Sequence, residues 1–187
     1  MSVLSDGGIQ RWIARGHSLV WRMLNKARQP ASIDVRLGDS VRIYAPMPDH
    51  IIDIREPQDD SWQTVPLTDA DHLLQPGGFA LAATRELVTI PDALCGFLAG
   101  RSGVARIGLQ IEAAGLLDPG YVGCPTLELF NQSPYPIRLY PGMPIGQVYF
   151  VTLDQPAQAP YGSKDRASKY QRDSQPQPSR MWKEAHR

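Results

Sequence analysis

The chain has 187 residues, 42% of them apolar, and carries 19 basic against 19 acidic side chains. That length suits one domain with a substantial core, and a net charge of zero excludes a global field for nucleic acid or membrane, so an anionic partner must be caught by a local cluster. No apolar run nears the roughly 20 residues of a membrane-spanning helix; Met1 to Asp6 lack the basic and apolar stretches of a secretion signal; Cys95 and Cys124 form no Cys-x-x-Cys pair, and a reduced, cytoplasmic protein is expected.

The first predicted element is a short helix. Ser5 or Asp6 can cap it, Ile9, Trp12 and Ile13 share one face, and Gly16 is placed to end it. After the basic stretch Arg22 to Arg28 and Pro30, the period changes to two. Ile33, Val35 and Leu37 then share one face, with Ser32, Asp34 and Arg36 on the other, and Val41 and Ile43 continue the alternation. Residues 45–75 read as loops with one or two minor strands. Beyond the turn Pro76-Gly77-Gly78, strands are expected at Phe79–Thr84, Leu94–Ala99, Leu109–Ala113, Pro125–Phe130, Ile137–Tyr140 and Gly146–Leu153. Pro119-Gly120 and Pro141-Gly142 have the residue order of type II turns. Many short strands at this spacing point to an all-β barrel or sandwich over residues 1–153. Residues 154–187 lose apolar periodicity and are rich in Lys and Arg (Lys164, Arg166, Lys169, Arg172, Arg180, Lys183, Arg187). Because they keep Tyr161, Tyr170 and Trp182, the expectation is an arm that orders over an anionic ligand rather than a solvated tail.

Missing motifs narrow the chemistry. None of His17, His50, His72 and His186 has a Glu two positions on, and Cys124-Pro125 is not followed by a second cysteine, so the zinc-dependent cytidine deaminase signature is absent. No phosphate-binding G-x-x-x-x-G-K-[ST] and no Gly-x-Ser-x-Gly elbow is present.

Three segments can carry chemistry. In Gly100-Arg101-Ser102-Gly103-Val104-Ala105-Arg106 the glycines permit close backbone approach, Ser102 offers a hydroxyl, and Arg101 and Arg106 can grip phosphate oxygens; a plain solvated turn is the bland alternative. In Ala114-Gly115-Leu116-Leu117-Asp118-Pro119-Gly120-Tyr121, Asp118 can cap the turn or meet a sugar hydroxyl, and Tyr121 can be core or pack under a deoxyribose. In Thr126-Leu127-Glu128-Leu129-Phe130, Leu127 and Leu129 point one way and Glu128 the other. A carboxylate in an apolar strand either faces solvent or lines a pocket whose desolvation raises its pKa and fits it to move protons at neutral pH.

Taken in order and spacing, these segments resemble the dCTP deaminases, a branch of the trimeric dUTPase superfamily. The similarity runs from about Leu4 to Arg180 and includes Ile33-Asp34-Val35-Arg36-Leu37-Gly38, Gly100–Arg106, Asp118-Pro119-Gly120, Thr126–Leu129, Pro141-Gly142-Met143, Pro160-Tyr161-Gly162-Ser163, Ser168-Lys169-Tyr170-Gln171 and Pro178-Ser179-Arg180. The resemblance implies a mainly β, dUTPase-like distorted barrel or jelly roll with a short N-terminal helix and a C-terminal arm. It implies hydrolytic deamination of dCTP to dUTP and ammonia with no metal at the reacting carbon. In that scheme Glu128 is the proton shuttle, Ser102 and the carbonyl of Ala114 hold the attacking water, and Arg106 orients Glu128. Asp118 takes the 3′-hydroxyl. Arg101, Ser102, Gln147, Tyr161 and Lys169 contact a triphosphate that brings Mg²⁺ with it, while Gly103, Val104, Ala105, Tyr121, Thr126 and Leu127 complete the nucleotide-binding set. The site would lie between subunits of a homotrimer, with no zinc, nucleic acid or membrane involved.

Three departures stand out. Gly103 replaces the usual second serine, residues 115–123 also resemble the water-activating segment of dUTPases, and Asp173 stands where the family has a glutamine. They keep open a dUTPase forming dUMP and pyrophosphate with Asp118 as base, and a bifunctional enzyme performing both steps; a non-catalytic trimeric nucleotide-binding regulator is a third reading, which loss of Glu128, Ser102 or Arg106 would support, and all three are present. Glu128 favours deamination, since plain dUTPases usually have an apolar residue there.

Overall fold

The alternation that opens at Ile33 runs further than its apolar residues suggest. In the computed structural model, which describes residues 1–47, 49–67, 72–111, 115–164 and 166–185, one strand spans Ile33–Tyr44, through Gly38 and Asp39. Ile33, Val35, Leu37 and Val41 are fully buried along it. The register shifts between Leu37 and Val41, and a β-carbon on Gly38 would sit 2.9 Å from the Ala83 carbonyl oxygen. The bulge therefore needs glycine where two backbones meet.

Before this strand, β2, come helix α1 (Asp6–Ala14) and strand β1 (Val20–Trp21). The Ser5 hydroxyl caps α1 by accepting from the Gly8 N–H at 3.2 Å. Ile9 is fully buried, with Trp12 and Ile13 packed against the core, and Gly16 leaves the helix at φ +90°, all as expected. After β2 come β3 (Trp62–Pro66), β4 (His72–Leu74), β5 (Phe79–Thr84), β6 (Leu87–Thr89), β7 (Leu94–Gly100), the one-turn helix α2 (Ser102–Ala105), β8 (Leu109–Ile111), β9 (Leu116–Leu117), β10 (Val122–Gly123), β11 (Thr126–Asn131), β12 (Ile137–Leu139), β13 (Pro144–Thr152) and a final turn of helix, α3 (Trp182–Ala185). The short pairings of β1, β6, β9 and β10 escaped the sequence reading, since two or three residues show no period. Ala113, the expected end of one strand, lies outside the described residues.

The main sheet runs β8-β11-β5-β2-β13-β7-β9, with β3 also on β2. β2 is its corner: Ile33 to Arg36 pair with β13, while Leu37 to Tyr44 pair with β5 and β3. The sheet therefore curls around the Leu and Ile core, giving a mainly β, barrel-like architecture. No helix of the described residues is long and apolar enough to cross a membrane.

Candidate active site

Strand β11 sets the centre of the site. Leu127 and Leu129 are fully buried, so the pleat turns Thr126, Glu128 and Phe130 to the opposite face. Glu128 sits directly across from Leu81 of β5, and its Oε2 is sealed from solvent. Both residues line a cavity of about 540 Å³.

An apolar wall, a turn and the C-terminal arm enclose that cavity. The wall is Leu81 and Leu98 with an aromatic group formed by Tyr44, Trp62 and Phe79; the Tyr44 and Trp62 rings stack at 4.0 Å. The turn brings Asp118 and Tyr121. It is closed by the Tyr121 N–H donating to the Asp118 carbonyl, and is held from outside by Gly120 N–H on the Ile90 carbonyl and Tyr161 N–H on the Pro119 carbonyl. Gly120 has φ +89°, and a β-carbon there would lie 2.6 Å from Pro160, so this turn and the arm are in contact through glycine. Asp118 is exposed at the rim while Tyr121 is buried, and that burial pushes the Tyr121 phenol well above its ordinary value.

The arm forms the roof, with Tyr161, Lys169, Tyr170, Asp173, Gln177, Pro178 and Ser179 lining the cavity. Its own bonds hold it in place. The Tyr161 hydroxyl accepts from the Tyr170 N–H at 2.8 Å and the Tyr170 hydroxyl from the Arg180 N–H at 2.9 Å. Arg180 pairs with Asp173 at 3.0 Å and also donates to Gln177 and the Lys169 carbonyl. Asp173, the departure from the expected glutamine, is thus an anchor of the arm, and Gln177 supplies an amide to the same cavity. Lys169 Nζ pairs with Glu184 at 2.6 Å. Residues 174–176 line a second cavity of about 430 Å³, which shares Cys124 with the first; none of the predicted site residues lines it.

Thr126 lines the cavity as well, whereas the other predicted residues that the structure describes are absent from its lining. Arg101 follows β7, and Ser102, Gly103, Ala105 and Arg106 are exposed around α2, anchored by buried Val104. The segment read as a loop is therefore partly helical: Arg101's carbonyl takes the N–H groups of Val104 and Ala105. Gln147 lies on β13 between Asp34 of β2 and Ala99 of β7. Arg101, Ser102, Arg106 and Gln147 are all absent from the cavity wall, and in sheet order β5 and β2 separate β11 from β13. Leu127, also in the expected nucleotide-binding set, has its side chain in the core and outside the cavity lining. Ala114 lies outside the described residues. The sequence reading missed Tyr44, Trp62, Phe79 and Leu81. Continued alternation through Arg42 and Tyr44 was the signal for the first of them; Trp62 had none, since its place depends on pairing with Tyr44 across 17 intervening residues.

The sequence model of the dCTP deaminase-like family matches residues 3–153. The chain belongs to this family. A relative from Mycobacterium leprae named "dCTP deaminase, dUMP-forming" is 41% identical over 182 residues, 96% of each chain. Relatives of the same name from Acidothermus cellulolyticus and Methanothermobacter thermautotrophicus are 40% identical (99% of this chain, 98% of that one) and 36% identical (97% and 94%). Among solved structures, the 2′-deoxycytidine 5′-triphosphate deaminase of Agrobacterium tumefaciens superposes with a TM-score of 0.63 at 21% identity. That match covers 81% of this chain and 48% of the Agrobacterium chain, so the two share a fold over about half the larger molecule's length.

Proposed function

We propose that this chain deaminates dCTP to dUTP, releasing ammonia, and carries the product on to dUMP and pyrophosphate. The observation that carries the reading is Glu128, a carboxyl projecting from between the buried Leu127 and Leu129 into a cavity with an aromatic wall on one side and Asp118 on its rim. Membership of the dCTP deaminase-like family supports it, and the dUMP-forming activity named for the relatives supports the second step.

In the first step Glu128 takes a proton from water as the hydroxide adds at C4, and delivers it to the ring N3. It then moves a proton from the new hydroxyl to the amino nitrogen, so that ammonia departs and a C4 carbonyl forms. Ser102 and the carbonyl of Ala114 hold the water, and Arg106 orients Glu128. Acid–base transfer contributes about 10² to 10⁴-fold; positioning of the water and the charges around the ring supply the rest. Tyr121 packs under the deoxyribose and Asp118 binds its 3′-hydroxyl. In the second step Asp118 activates a water that attacks the α-phosphorus, and pyrophosphate leaves. Arg101, Ser102, Gln147, Tyr161 and Lys169 hold the triphosphate, which enters with its Mg²⁺.

Because Glu128 and Asp118 line one surface while Arg101, Ser102, Arg106 and Gln147 line another, a complete site joins two copies of the chain, as in a homotrimer. The test is product analysis with dCTP and with dUTP in Mg²⁺. Wild type forms dUMP from both, and Glu128→Gln binds nucleotide but releases no ammonia. Ammonia release by that variant at the wild-type rate overturns the assignment.

A further inference from the structure

The cluster around Gln147 contains a carboxylate that the reaction scheme does not use. Asp34 lies beside Gln147 in register across β2 and β13, and its Oδ2 is 3.4 Å from the Arg101 guanidinium. The same oxygen accepts from Gln29 Nε2 at 3.0 Å, while the Asp34 N–H donates to the Ala27 carbonyl. Oδ1 is buried and has no hydrogen-bond partner among the described residues. The Ser32 hydroxyl donates to Gln147 Oε1 at 3.2 Å, which leaves the NH₂ end of that amide for another acceptor.

An anion placed on a surface meant for a triphosphate repels the ligand unless its charge is already spent on a neighbour. Asp34 has that neighbour, and the geometry is unequal in a telling way. The Asp34 side chain is 14% exposed and clamped, whereas the Arg101 side chain is 39% exposed. The carboxylate is thus the fixed member and the arginine the one being aimed. A guanidinium has five donors in a planar fork, so one edge can rest on Asp34 while the other meets phosphate. Ordering a long side chain costs rotamer entropy on binding, and a pre-aimed arginine loses less of it.

We infer that Asp34 is a positioning residue for triphosphate recognition, holding the Arg101 guanidinium toward the phosphates beside the Gln147 amide. This rests on the assignment of Arg101 and Gln147 to the triphosphate.

The test compares Asp34→Asn, Arg101→Gln and the double variant in the full-length protein. Asp34→Asn is expected to raise the KM for dCTP about tenfold, the loss of one charge-assisted contact, with kcat and thermal midpoint little changed. Binding of deoxycytidine, which has no phosphates, stays at the wild-type level. Arg101→Gln raises KM further, and the double variant behaves as Arg101→Gln alone. Should Asp34→Asn fail to fold, Gln29→Ala unclamps the same carboxylate and raises KM in the same sense. An unchanged KM in Asp34→Asn or Gln29→Ala beside a raised KM in Arg101→Gln overturns the inference, as does additivity in the double variant or an equal loss of deoxycytidine binding. An unchanged KM in Arg101→Gln removes the phosphate assignment itself, a separate result.

Discussion

Glu128 and Asp118 share one cavity but not one environment. Glu128 is set in an apolar strand with Oε2 sealed from solvent, and Asp118 is exposed on a turn. Two carboxyl groups held so differently suit two separate tasks. Asp118→Asn is expected to abolish dUMP formation while dCTP is still converted to dUTP with a raised KM; product chromatography decides, and continued dUMP formation removes Asp118 as the base of the second step. Cys124 lies on the same wall. Burial pushes its thiol up, so less thiolate is present at any given pH than for a free cysteine and reaction with electrophiles is slowed. Alkylation by iodoacetamide at pH 7.5 should be slower than in the urea-unfolded chain, should accelerate with rising pH, and should slow further when dCTP fills the cavity. Mass spectrometry of the Cys124 peptide reads all three.

At the scale of elements, the C-terminal arm shows how packing replaces periodicity. Residues 160–180 have no regular repeat, yet Pro176 and Pro178 are buried and Tyr161 and Tyr170 each accept a main-chain N–H. Gly120 is the point where turn and arm touch. Gly120→Ala forces a β-carbon onto Pro160 at φ +89°, a strain worth about 1–3 kcal/mol, and the arm is expected to become protease-sensitive while the barrel stays folded. Lys169 is held by Glu184, and a triphosphate competes for the same ammonium. Glu184→Gln is therefore expected to lower the KM for dCTP; a partly exposed ion pair contributes about 0.2–1 kcal/mol, which limits the gain to roughly fivefold. Strand β11 was legible because every second residue is buried, β5 and β7 as short apolar runs, and α1 because Ser5 and Gly16 mark its ends. The aromatic wall was not, because it depends on the register of β2 against β3 and β5, which no local pattern encodes. The bulge at Gly38 was hidden for the same reason, since its cause is the Ala83 carbonyl of another strand.

At the scale of the whole molecule, the separation of the two half-sites yields the sharpest test of assembly. Glu128 and the Ser102–Arg106 segment were each singled out in sequence, but their distance was not, because it is set by the curl of the sheet. Glu128→Gln and Arg106→Ala should each be inactive alone, since each removes one half of every site. If a site takes Glu128 from one copy and Arg106 from the next, a trimer assembled from both variants contains sites in which both residues are wild type. Random mixing in equal amounts places the two intact halves together in about a quarter of the sites of a cyclic assembly. Unfolding and refolding the two variants together is therefore expected to restore about a quarter of the wild-type ammonia release, whereas mixing them without exchange restores none. Were both residues of a site supplied by the same chain, no mixture would recover activity, and an inactive refolded mixture with normal oligomeric mass would place the half-sites within one subunit.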